Sequence, residues 1–108
     1  MNVAAMLTEV ATYAPHLTDQ NVADRHVVPV ESLRAALRVL AFMGFVEHVD
    51  GNPLGHTWEA RKPNDASPRV RRLRAELEKP LEEFIASRAF QEFDAERESY
   101  EASRQASS

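Results

Sequence analysis

Cysteine is absent from the 108 residues of this chain. That removes disulfides, thiolate nucleophiles and cysteine-based zinc sites, and it suits a reducing cytosol. No run of about 18 apolar residues occurs, the length that a membrane-spanning helix requires. The first residues, MNVAAMLTEV, lack the basic start and long apolar core of a signal peptide, so the expected location is cytoplasmic. Glycine is scarce, at three residues, and no glycine-rich phosphate loop is present. With no ordered Ser-His-Asp set either, no catalytic residue is assigned and no enzyme activity is expected. Glu76, Glu78, Glu82 and Glu83 read as a solvated helix face rather than an acid–base pair.

Positive charge is also in short supply, since the net charge is −4. That is the wrong sign for an undifferentiated nucleic-acid binder, but the distribution is uneven. Residues 1–60 carry seven acids and three bases, and residues 75–108 carry nine acids and four bases. Between them, residues 61–74 hold six bases (Arg61, Lys62, Arg69, Arg71, Arg72, Arg74) against Asp65 alone. A short basic island therefore separates two acidic blocks.

Apolar spacing gives the elements. Val3, Met6, Leu7, Val10 and Ala14 recur at three and four, which predicts a helix over 2–14 that stops before Pro15. Thr18 or Asp19 can cap a second helix running to about Arg25, with Val22 and Ala23 inward. A third helix spans roughly Pro29 to Met43 with Leu33, Ala36, Leu37, Val39 and Leu40 on its buried side. Gly44 stands where a helix C-cap glycine is expected. The period then changes to two, giving strands at about 45–49 and 56–61 around a turn through Asp50–Gly55. Lys62–Ser67 is linker. Ser67 caps a helix with Pro68 at its first position and Val70, Leu73 and Leu77 as its stripe. Pro80 breaks or kinks that helix near Lys79. One further helix then carries Leu81, Ile85, Ala89, Phe93 and Tyr100 on a face flanked by Phe84 and Phe90, and EASRQASS is expected to fray.

The stretch LRAALRVLAFMGFVEH, with LTDQNVADRHV before it and DGNPLGHTWEARK after it, resembles the winged helix-turn-helix superfamily of small bacterial and archaeal regulators. Its recognition helices end in a pattern close to Leu-x-x-Leu-x-x-x-Gly, then an aromatic residue or Leu, then Val. The resemblance implies a mainly α fold with a small β-hairpin wing, with the winged helix-turn-helix domain at 1–62. A linker at 63–67, a helical extension at 68–103 and a frayed tail at 104–108 complete the division. It also implies a transcriptional regulator that binds double-stranded DNA with helix 3 in the major groove.

On that reading Ser32, Arg34 and Arg38 are the base-reading donors, although Val30 and Glu31 depart from the usual polar start of such a helix. His56, Arg61, Lys62, Arg69, Arg71, Arg72 and Arg74 are the expected phosphate contacts. The alternative for the island is internal pairing, for example Arg72 with Glu76 and Arg74 with Glu78. Leu81, Phe84, Ile85, Phe90 and Phe93 are too apolar for a lone helix and are the expected homodimer contact, folding back on helix 1 being the other solution. His48 and His56 face each other across the wing if the hairpin centres near Asn52, with Asp50 near, but no metal and no cofactor are assigned. The alternative function is a winged-helix protein-interaction module that does not bind DNA, such as an antirepressor, a phage-type inhibitor or a complex subunit.

Overall fold

In chain order the elements are α1 (Val3–Thr12), α2 (Asp19–His26), α3 (Val30–Phe42), β1 (Val46–Asn52), β2 (Gly55–Ala60), α4 (Pro68–Arg74), a 3-10 turn (Ala75–Glu78), α5 (Leu81–Ala86) and α6 (Arg88–Ser107). The computed structural model describes residues 2–12, 17–52 and 55–107. The expected end of the first helix at residues 13–15 and the tip of the hairpin lie outside them.

Thr18 caps α2 reciprocally. Its hydroxyl accepts from the Asn21 backbone N–H, and the Asn21 side chain accepts from the Thr18 N–H. This satisfies two groups that a helix start otherwise leaves open. Val22 and Ala23 turn inward and are fully buried. Between α2 and α3 the chain reverses through Val27, which takes a left-handed conformation (φ 54°, ψ 48°) and is 90% exposed. A β-branched residue is strained there. The sharpness of the helix-turn-helix bend therefore comes from the backbone, not from a glycine.

α3 buries the expected stripe of Leu33, Ala36, Leu37, Val39 and Leu40. Gly44 ends it with φ 86°, and Phe45 N–H donates back to the Leu40 carbonyl at 2.8 Å. Arg61 N–H then donates to the Phe45 carbonyl at 2.9 Å and closes the base of the hairpin. β1 and β2 pair antiparallel, with His48 opposite Trp58 and Gly51 opposite His56. The register slips by one between His48 and Asp50, so Val49 is an extra residue, a β-bulge that bends the wing. The strands extend into the segment read from sequence as turn.

The extension joins the same core instead of standing apart. Ser67 caps α4, and Val70, Leu73 and Leu77 are buried as their spacing predicts. The chain breaks at Lys79–Pro80, and Val3 N–H donates to the Lys79 carbonyl, tying the start of α1 to that break.

The single helix expected after Pro80 is in fact two. Ser87 is extended (φ −66°, ψ 149°). Its hydroxyl donates to the Phe84 carbonyl and accepts from Phe90 N–H, so one side chain ends α5 and caps α6. The break turns Phe84 and Phe90, expected to flank the apolar face and to meet a second subunit, into enclosed partners 5.2 Å apart within this chain. α5 and α6 pack on α3, and α6 runs from Arg88 to Ser107. One hydrophobic cluster runs from Val3 to Phe93. Three helices, a two-stranded wing and added helices are the topology of the winged helix-turn-helix superfamily.

Candidate binding face of helix α3 and the wing

The centre of this face is a carboxylate. Asp19, the first residue of α2, is completely buried. Arg34 Nε donates to its Oδ2 at 3.2 Å and Arg34 Nη2 to Oδ1 at 3.4 Å. His56 backbone N–H donates to Oδ1 at 2.9 Å, and Trp58 Nε1 donates to Oδ2 at 3.3 Å. Burial alone raises the pKa of a carboxyl group. Here the His56 N–H, the Arg34 guanidinium and the Trp58 indole outweigh it, and Asp19 sits below the usual aspartate range. One side chain thus joins α2, α3 and β2, and it fixes how the wing lies beside α3. Gly55 makes room for this approach, since a Cβ there would stand 2.8 Å from Thr18 atoms.

Arg34 therefore has its guanidinium committed inward, with a further contact to Glu31 at 3.4 Å. Arg38, one turn on, is exposed and has no ion-pair partner among the described residues. Ser32 is half-buried on the same helix. On the wing, His48 Nε2 and His56 Nδ1 lie 2.8 Å apart, and His48 also packs edge-on against Trp58. The two histidines meet diagonally rather than directly opposite, since His48 pairs with Trp58 and the hairpin does not centre near Asn52; the bulge at Val49 brings both onto one face. Among the described residues no three His, Asp or Glu side chains gather as metal ligands; the Asp50 side chain lies outside those described.

The basic island is largely occupied by the chain's own acids. Arg61 pairs with Glu47 and Glu59, Arg69 with Glu96, Arg72 with Glu92 and Arg74 with Asp65. The expected i, i+4 pairs along α4 do not form, because α4 bends into the 3-10 turn and α6 brings its acids alongside. Arg69 and Arg72 also lie over the Phe93 ring, at 5.4 and 5.8 Å, and Arg74 over Phe45 at 5.1 Å. Glu92 holds Arg72 above the ordinary arginine range, and Arg72 holds Glu92 below the ordinary glutamate range. These are exposed pairs, each of small worth and open to exchange. Lys62 and Arg71 are exposed, with no ion-pair partner among the described residues.

Of the residues expected at a dimer contact, Leu81, Phe84, Phe90 and Phe93 are buried in this chain's own core, and Ile85 packs at its edge. α5 and α6, which carry them, pack on α3, and α6 also meets α4.

Helix α6 adds what the sequence reading did not assign. Arg97, Tyr100, Glu101 and Arg104 share one helical face and form the far wall of a cleft of about 480 Å³, with α3 and the wing as its other sides. Phe42 and Tyr100 meet across it at 5.8 Å. Their i, i+3, i+4, i+7 spacing was the available signal, but nothing in the chain pointed to α3 as the surface opposite.

The fold is that of a winged helix-turn-helix protein, and among the described residues no helix is long and apolar enough to cross a membrane. A scan of protein-family models, a search of curated proteins and a search of solved structures each gave no match.

Proposed function

We propose that this chain is a winged-helix regulator that binds double-stranded DNA through the exposed side of α3 and the adjoining wing. The observation that carries the reading is Arg38. An exposed guanidinium on the recognition helix, free of acid partners among the described residues and next to the His48–His56 pair, is suited to a phosphate or a guanine edge. Ser32 is the second donor on that helix. Arg34 acts by holding the helix against Asp19 rather than by reading bases. Lys62 and Arg71 add phosphate contacts directly, and Arg69, Arg72 and Arg74 do so only by exchanging a carboxylate for a phosphate.

The test is anisotropy of a labelled random-sequence duplex at two salt concentrations. Arg38, Lys62, Arg71 and Arg104 suggest about three to four neutralised phosphates, hence a log–log salt slope of roughly −3 and an affinity loss of about a hundredfold between 50 and 200 mM salt. Arg38→Ala removes most of that binding. Absence of binding by micromolar protein at low salt refutes the reading.

The self-pairing of the island favours a second reading specifically. Its arginines meet Glu92, Glu96, Glu47, Glu59 and Asp65, which leaves a mixed-sign surface suited to a protein partner. A pull-down that is lost in Arg38→Ala, together with absent DNA binding, supports it.

A further inference from the structure

We propose that the cleft between α3, the wing and α6 is a binding site for a small planar aromatic anion. Phe42, Tyr100, Trp58 and the two wing histidines line it, which gives a planar ring flat or edge-on partners on several sides. Four arginines also line it, from opposite walls: Arg34 and Arg38 on α3, Arg97 and Arg104 on α6. Two of these are already engaged. Arg34 is held by Asp19, and Arg97, itself buried, is held by Asp94 and Glu101.

Arg38 and Arg104 have no acid partner among the described residues, and Arg104 lies 5.8 Å over the Tyr100 ring. The single acid in the lining, Glu101, is taken by Arg97. Two uncompensated guanidiniums facing one concave space repel each other until an anion enters between them. A volume of about 480 Å³ is in the range of small-molecule sites. A ring to stack and a carboxylate or phosphate to bridge Arg38 and Arg104 is the shared chemistry. A nucleoside monophosphate and an aromatic acid are its two sources.

The proposal does not require that α3 bind DNA. If it does, a ligand held by Arg38 lies on the reading helix and competes with the duplex, so the cleft would be a regulatory input to that surface.

The experiment titrates AMP, benzoate, adenosine and inorganic phosphate separately, without DNA, by calorimetry and by the emission of Trp58, the sole tryptophan. AMP or benzoate is expected to bind, which identifies the source. Adenosine and phosphate, each carrying half of the recognised chemistry, bind at least about tenfold more weakly, as expected for loss of one contact worth ~1.4 kcal/mol. Arg38→Gln with Arg104→Gln lowers the affinity by a similar factor or more. Arg88→Gln, an exposed change at the start of α6 outside the cleft lining, leaves it unchanged. The two cleft residues are exposed, and circular dichroism checks that the variants fold. The proposal is overturned if neither AMP nor benzoate binds at about 1 mM, if phosphate binds as well as AMP, or if the double variant binds as tightly as the parent.

Discussion

Replacing Asp19 should loosen the wing and α3 together. In Asp19→Ala the Arg34 guanidinium, only 20% exposed, loses its main partner. The His56 N–H and the Trp58 indole N–H lose their acceptor as well. Removing one side of a buried pair costs about 3–5 kcal/mol. Arg34 retains Glu31 and some water, so the lower end of that range, about 3 kcal/mol, is expected. For a chain of this size that is a fall of roughly 2 M in the urea midpoint. Asp19→Asn keeps one acceptor but not the charge and should cost about 2 kcal/mol. The Thr18 cap is untouched in both, so the loss belongs to the hub and not to the start of α2.

The same carboxylate gives a pH signature. Its folded pKa is depressed, so its contribution is complete above the ordinary aspartate value of about 3.9. Below that value the unfolded chain takes up the proton first, and stability declines by up to about 1.4 kcal/mol per pH unit until the folded pKa is passed. Asp19→Asn should flatten that segment of the acid limb. Urea melts at pH 7 and across pH 2–5 are the assay. A loss below about 0.5 kcal/mol for Asp19→Ala, within the range of an ordinary surface change, would refute the hub.

Further outcomes follow from other elements. Val27→Gly should raise stability by about 0.5–1 kcal/mol, relief of left-handed strain exceeding the entropy that glycine adds, as read by thermal melting. Gly55→Ala should cost about 2 kcal/mol or more, since its Cβ meets Thr18 and its φ of 142° is strained for alanine; denaturant unfolding measures it. Phe90→Ala should cost about 3–5 kcal/mol, with an unfolding midpoint independent of protein concentration in parent and variant. A midpoint that rises with concentration would instead show that these core residues are completed by a second subunit. If DNA binding is observed, Glu92→Gln with Glu96→Gln should strengthen it by freeing Arg72 and Arg69, measured by the same anisotropy titration.

The parts of the fold visible in the sequence are those set by local spacing. The α3 stripe, the Gly44 stop and the Ser67–Pro68 start each declare themselves within a dozen residues. The break at Ser87 does not, because EEFIASRAFQEF holds no proline or glycine and reads as continuous helix. The Ser87 cap and the tertiary burial of both Phe84 and Phe90 together favour the kink there. The site was legible in part. The exposure of Arg38 on α3 and the approach of the two wing histidines could be read from their positions. The burial of Asp19 was not, because an aspartate at a helix start ordinarily reads as an exposed complement to the helix dipole. Its partners lie 15, 37 and 39 residues away. The neutralisation of the island was hidden for the same reason, since α6 meets α4 only after two breaks in the chain.

The Asp19 cluster also has a bearing on ancestry. Surface residues on such a small domain drift freely, and overall similarity fades quickly. A buried acid bound to three donors from two other elements cannot be exchanged one residue at a time without passing through an unpaired charge. Distant kin of this chain are therefore expected to retain a spaced triple more faithfully than the sequence around it. It consists of an acid at the start of the second helix, an arginine 15 positions later and a tryptophan 39 positions later. That spacing is a pattern by which such kin can be sought where whole-chain comparison fails.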